Sequence, residues 1–154
     1  MELVADKRMR VTMFLCDYAQ VSPEGKVTAV GAFWTVTGPG PASFCIAGAV
    51  EVPWNSTNTG HTFRAECVDL DGNPVLVPTE EGERPLLVEV GFEVGRPAGL
   101  RPGTALPVPL AIPIGPVQLP AGGHFEWRLL VDGEAREDWR LPFSTRPPFL
   151  QPAA

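Results

Sequence analysis

The chain has 154 residues, a formal net charge of −6 and a sequence pI of about 4.9. This length suits one domain, which buries enough surface to fold without a metal ion or a disulfide. The 12 Lys and Arg residues form no basic run, so the sequence disfavours a protein that binds nucleic acid or an anionic membrane surface.

The N-terminus offers no secretion signal, because residues 1–8 lack the apolar core of a signal peptide. The uncharged run at residues 106–125 contains five prolines and cannot cross a bilayer as a helix. Three cysteines, Cys16, Cys45 and Cys67, lie singly in apolar runs, which is typical of free thiols in a reducing compartment. We therefore expect a cytoplasmic protein.

Prolines and glycines number 18 and 16, which works against long helices. Apolar residues instead alternate with a period of two, which predicts short strands. The first predicted hairpin joins residues 10–19 to residues 26–37 through a turn at residues 22–25. The next strand, residues 43–52, carries so little charge that we expect both of its faces to be covered.

Two further hairpins are predicted from Asp-Gly turns. Asp71-Gly72 would join a strand at residues 63–67 to one at residues 74–77, and residues 86–94 form the next half-buried strand. Asp132-Gly133 would join residues 125–131 to residues 139–143, which brings two tryptophans into the core.

One predicted strand, residues 106–114, alternates apolar residues with prolines. Pro107, Pro109 and Pro113 fall on the side opposite the apolar face, and each removes one backbone donor. A central strand with so many backbone N–H donors missing could not form the hydrogen bonds that its two neighbouring strands require. We therefore expect this strand at a sheet edge.

Taken together, these elements predict an all-β fold. The favoured architecture is an antiparallel two-sheet β-sandwich, Ig-like in general architecture, with about eight strands. A small β-barrel is the alternative. We expect a single β-sandwich domain over residues 1–146, followed by a frayed C-terminal tail at residues 147–154.

No catalytic constellation is recognisable, so we predict a protein without enzymatic activity and without a cofactor. The sequence has no G-x-S-x-G motif and no loop suited to phosphate. His61 and His124 each open a strand, and we expect both imidazoles at the surface.

Acidic turns give a weak indication of a calcium site. Asp69 and Asp71 could meet Asp132 and Glu134 at one end of a sandwich, since calcium prefers oxygen ligands. The pattern lacks the remaining ligands of a calcium loop, so a hairpin turn is the favoured interpretation. We therefore predict no metal site, and keep these four residues as weak candidates.

Aromatic residues supply the candidate binding residues. Trp34 and Trp54 lie near predicted strand ends, where they could line a groove for a sugar or a peptide. Packing at the edge of the core is the more frequent role of such residues. Trp54 borders polar residues and is the first to test for contact with a partner.

Several segments together resemble a family of small bacterial proteins of unknown function, carried mainly by high-GC bacteria. The segments are RVT to DYAQ at residues 10–20, VGAFW at 30–34, VPW at 52–54, FEVGRP at 92–97 and FEWRL at 125–129. The resemblance covers nearly the whole chain and implies a cytoplasmic, stand-alone domain. It implies no catalytic or binding residues.

The favoured function is a non-enzymatic interaction or assembly module that self-associates, or binds another protein, through a sheet edge or an exposed apolar patch. The alternative is a small-ligand or calcium-binding domain that uses the Trp34 and Trp54 region or the acidic turns. A fold of this class does not itself decide between them.

Overall fold

The computed structural model describes residues 8–148, in which the chain is all-β with several sheets, one of them curled into a half-barrel. The described part of the chain contains no helix with the length and apolarity needed to span a bilayer. The strands are β1 (Arg10–Cys16), β2 (Tyr18–Val21), β3 (Val27–Val30), β4 (Val36–Thr37), β5 (Gly40–Val52), β6 (His61–Asp69), β7 (Leu76–Thr79), β8 (Gly82–Pro85), β9 (Leu87–Phe92), β10 (Leu106–Leu119), β11 (His124–Val131) and β12 (Glu134–Thr145).

Two large sheets account for most of these strands. One has three strands in the order β1-β5-β10, and the other has five in the order β4-β12-β11-β6-β9. Neighbours are antiparallel except for the two-residue pairing of β4 with β12, which is parallel. The hairpins β2-β3 and β7-β8 form two small sheets of their own. The strand total therefore exceeds the predicted number of about eight.

A single core cluster draws apolar side chains from both large sheets. Phe44 and Ile46 come from β5, Phe63 from β6 and Trp127 from β11. The predicted alternation in β11 is confirmed, because Phe125, Trp127, Leu129 and Val131 are buried and the residues between them are partly exposed. Packing of this kind on one face of each sheet is the main source of stability in a β domain.

Strand β5 is covered on both faces, as predicted from its lack of charge. Phe44 and Ile46 enter the main core, while Cys45 and Ala47 belong to a second buried cluster with Ala19. The β2-β3 hairpin lies on this second cluster and supplies Ala19 to it. The near-continuous burial of β5 follows from this double cover.

Only part of the first predicted hairpin forms. Residues beside the turn do pair as β2-β3, but β1 pairs with β5, from Arg10 opposite Glu51 to Cys16 opposite Cys45. The chain changes direction at Asp17, whose N–H donates to the Val30 carbonyl instead of continuing the strand. The seven residues of β1 thereby gain a long-range partner that local spacing does not indicate.

The second predicted hairpin is reduced to a single bridge between Val68 and Pro74, because β7 pairs with β8 instead. The Asp69 carboxylate accepts hydrogen bonds from the backbone N–H groups of Asp71 and Asn73, so a turn does form at the predicted Asp71-Gly72 position. The third hairpin is confirmed, with β11 and β12 paired on both sides of the Asp132-Gly133 turn.

The proline-rich strand lies at a sheet edge, as predicted. In β10, Pro107, Pro109 and Pro113 are opposite residues of β5, and within residues 8–148 β10 pairs in its sheet with β5 alone. Of the predicted C-terminal tail, the structure describes residues 147 and 148. Residues 1–7 and 149–154 lie outside the described part of the chain.

Gly48 in the middle of β5 fixes the approach of β1. Its φ of +145° is unusual for other residues, and a Cβ there would meet the carbonyl oxygen of Thr12 and come within 2.8 Å of the Met13 Cα. Both atoms belong to the backbone of β1 and cannot rotate away. We expect Gly48→Ala to lower the free energy of unfolding by about 3 kcal/mol or more, measured by urea denaturation.

Gly60→Ala is the matched control for this substitution. Gly60 has no atom within 4 Å of its added Cβ and no positive φ, so its free energy of unfolding should change by no more than about 0.5 kcal/mol. Equal losses in the two variants would contradict a specific close approach of β1 at Gly48.

Candidate interaction surface

An exposed apolar surface lies where β1, the β2-β3 hairpin and the following segment meet. We call it the Phe33 surface and define it by Phe14, Tyr18, Val30 and Phe33. Phe33 is 75% exposed, while Tyr18 and Val30 are more than half exposed and oppose each other across the hairpin. The Phe14 and Phe33 ring centroids are 4.8 Å apart. The two pairs lie close together in the chain and place aromatic and aliphatic side chains on the outside of the molecule.

Phe33 is held in the left-handed region of backbone space, at a φ of +65°. For a bulky residue this conformation is a genuine outlier and costs about 1–3 kcal/mol. The backbone is fixed there by a 2.7 Å hydrogen bond from the Phe33 N–H to the Leu15 carbonyl. The chain therefore carries a large apolar side chain, pointing out, at a position that glycine or asparagine would occupy with less strain.

A small cleft of about 100 Å³ lies beside the Phe33 surface. It lies between β1 and β12, and its lining includes Leu15, Phe33, Trp34 and Leu141. The Trp34 ring packs edge-on against core rings, with centroids 5.2 Å from Phe44 and 5.9 Å from Phe143. Trp34 is therefore an edge-of-core residue that also forms one wall of the cleft.

Trp54 lies elsewhere, in the short 3₁₀ helix Trp54–Ser56 that follows β5. The Arg96 guanidinium covers its ring at 4.2 Å and donates 2.7 Å hydrogen bonds to the Trp54 carbonyl and the Thr57 hydroxyl. One face of the Trp54 ring is thus used to hold the segment that carries Arg96. Trp34 contacts Phe44 near one end of β5, and Trp54 follows the other end, roughly 25 Å away by strand rise, so the two do not line one groove.

The four acidic candidates also lie apart. Asp69 ends β6, whereas Asp132 accepts a hydrogen bond from the N–H of Thr62 near the start of that strand, which places the two aspartates roughly 23 Å apart by strand rise. Asp71 follows Asp69, and Glu134 follows Asp132. Within residues 8–148, no three His, Cys, Asp or Glu side chains are grouped so that they could hold a metal ion. The structure does not bring the four candidates together.

His61 is not the surface imidazole that the sequence predicted, since its side chain is only 8% exposed. Its Nδ1 lies 2.7 Å from an Asp132 carboxylate oxygen, and its Nε2 lies 2.7 Å from the Ser56 carbonyl. Both oxygens accept hydrogen bonds, an arrangement that favours the protonated imidazolium, in which both ring nitrogens donate. The sequence carries no signal for this arrangement because Asp132 is 71 residues away.

The surroundings of His61 agree with a charged ring. Burial has the largest single influence and lowers the His61 pKa, but the other contributions together raise it above its ordinary 6.5. Those contributions are the hydrogen bond to Ser56, the hydrogen bond and charge of Asp132, and the charge of Glu93. For Asp132, burial raises the pKa most, yet hydrogen bonds from His61 and Thr62 and the His61 charge lower it below 3.8.

These groups are poorly arranged for proton transfer or nucleophilic attack. Both His61 nitrogens are committed to hydrogen bonds within the protein, which leaves neither to accept a proton from a substrate. Burial raises the pKa of Cys67 to about 12, and burial with the nearby Cys45 and Asp17 raises that of Cys16 to about 11.

We expect the His61–Asp132 pair to make stability depend on pH. The raised His61 pKa stabilises the fold below about pH 6.5, and this contribution is lost as pH rises through the folded pKa. The lowered Asp132 pKa adds stability to the fold above about pH 3.8, and this stabilisation is lost as pH falls through the pKa of Asp132 in the folded protein. Relative to His61→Gln, the wild type should be about 1 kcal/mol more stable near pH 5.5, with the difference shrinking toward about pH 9.

The measurement is urea denaturation of both proteins across this pH range, with the His61 ring followed by NMR titration. Asp132→Asn is the matched variant, because asparagine tolerates the φ of +52° at this turn while removing the charge. It should lower the His61 pKa. A wild-type His61 pKa at or below 6.5 would contradict the paired, protonated ring.

No curated protein matches this chain. A protein family of unknown function, DUF6941, matches it over residues 11–144, which includes all of β2 to β11 and most of β1 and β12. The predicted resemblance to a family of uncharacterised proteins is thereby confirmed. The chain belongs to DUF6941, a family of unknown function.

Proposed function

We propose that this protein is a non-enzymatic, cytoplasmic assembly module that forms a homo-oligomer through the Phe33 surface. The observation that carries the proposal is Phe33 itself, an aromatic side chain that is 75% exposed on a strained backbone. Residues kept in sparsely populated conformations cluster at functional positions, where the surrounding structure offsets the strain.

The composition of the surface supports a protein partner. Aromatic side chains are enriched in protein interfaces, and a few of them carry most of the binding energy. Tyr18 adds an amphipathic ring, and Val30 opposes it across the hairpin. Phe14 supports the Phe33 ring from β1, so the surface does not have to order itself when a partner binds.

The scaffold supports the same function. In this proposal the three-stranded and five-stranded sheets act as the two layers of a β-sandwich, with the β2-β3 hairpin fixed to the outside of one layer. The prolines of β10 discourage strand pairing at that edge, so association through a side-chain surface is favoured over association through this edge. The small-ligand alternative has less support, because Trp34 and Trp54 lie at opposite ends of β5.

We expect Phe33→Asn to weaken self-association at least roughly tenfold, because it removes the central ring of the surface. Stability should stay within about 1 kcal/mol of the wild type. Asparagine relieves the backbone strain at a φ of +65°, which offsets the lost ring contact with Phe14. Sedimentation equilibrium gives the dissociation constants, and urea denaturation gives the stabilities.

Leu70→Asn is the matched control. Leu70 is 78% exposed and lies in the turn after β6, outside the Phe33 surface, so its replacement should leave association unchanged. A wild type that stays monomeric up to about 0.1 mM would refute self-association, since specific homo-oligomers are tighter than this. Equal weakening by both variants would refute the assignment to Phe33.

A further inference from the structure

Cys16 and Cys45 are directly opposite each other in the antiparallel pairing of β1 with β5. Opposed residues in such a pair have Cα atoms about 4.5–5.5 Å apart. A disulfide spans Cα separations of about 4.4–6.8 Å, so the two strands already stand at the right distance for one. Cys67 lies in β6 of the other large sheet and has no such partner.

The two side chains also share one compartment. Cys16 and Cys45 both belong to the second buried cluster, and the Cys16 thiol lies 3.7 Å from the Cys45 carbonyl oxygen as its donor. Cys67 belongs to the main core instead. Cys16 and Cys45 are free thiols, so the structure represents the reduced form of this pair.

We propose that Cys16 and Cys45 form a redox-responsive dithiol site that closes to a cross-strand disulfide. With hydrogen peroxide as the oxidant, one thiol is oxidised to a sulfenic acid and peroxide is reduced to water. The facing thiol then attacks that sulfur, the S–S bond forms, and the sulfenic oxygen leaves as a second water. Two thiols and one peroxide thus give one disulfide and two waters.

The β2-β3 hairpin controls access to this site. It contributes Ala19, Val27 and Ala29 over the two thiols, which are small contacts compared with the aromatic packing of the main core. In the closed protein neither thiol is accessible, and burial raises the pKa of Cys16 to about 11, so the reactive thiolate is scarce. Oxidation therefore proceeds through opening of the hairpin, which local unfolding permits while the core stays folded.

The test is oxidation of the full, reduced chain with hydrogen peroxide, followed by intact mass and peptide mapping. We expect a loss of two hydrogen masses and a Cys16–Cys45 linkage, with a rate that rises at urea concentrations below the global transition. The disulfide closes a loop of about 30 residues, so it should raise Tm by roughly 5–10 °C.

Cys67→Ser is the matched control and should form the same linkage at the same rate, while Cys45→Ser should form none. Peptide mapping of the oxidised wild type identifies the linked cysteines even where a variant folds poorly. Linkages to Cys67 as frequent as Cys16–Cys45, or thiols that proceed to sulfinic acid without any S–S bond, would overturn the proposal. This inference does not depend on self-association, and a strictly monomeric protein could still satisfy it.

Discussion

Burial of β5 on both faces is the constraint on which the rest of the structure depends. One face supplies Phe44 and Ile46 to the main core, and the other supplies Cys45 and Ala47 to the cluster beneath the β2-β3 hairpin. Both edges are also occupied, by β1 and by β10. A strand with four neighbours cannot shift by one residue without exchanging its two buried faces, so it fixes the register of everything packed on it.

The Phe33 surface is a consequence of that arrangement. Because β1 pairs with β5, the chain must turn at Asp17 to place the hairpin over the outer face, and it must then return past β1 toward β4. The hydrogen bond from the Phe33 N–H to the Leu15 carbonyl holds this returning segment against β1. The strained backbone and the exposed ring thus arise at the point where the chain leaves the hairpin and rejoins the large sheets, next to the thiol pair that the hairpin covers.

The length of the strands also explains why the acidic candidates and the two candidate tryptophans are not brought together into one site. Turns that are equally acidic in sequence lie at opposite ends of β6 and its neighbours, and tryptophans that look equivalent lie near opposite ends of β5. Each end then uses its polar groups locally, as His61 does with Asp132 and as Arg96 does with Trp54. These polar groups are therefore engaged in contacts within the protein, whereas Tyr18, Val30 and Phe33 on the hairpin side are exposed.

The sequence by itself determined the all-β class, the edge position of β10, the double cover of β5 and the β11-β12 hairpin. These follow from local alternation, from prolines without N–H groups and from turn residues, all of which act over a few positions. Only the tertiary structure decided that β1 pairs with β5, that β7 pairs with β8, that His61 is buried beside Asp132, and that Cys16 faces Cys45. The first, third and fourth of these join residues far apart in the chain, and period-two patterns say which face is apolar without saying which strand will lie beside it. The β7-β8 pair is a local hairpin instead, but its residues are mostly exposed and so carry no apolar alternation.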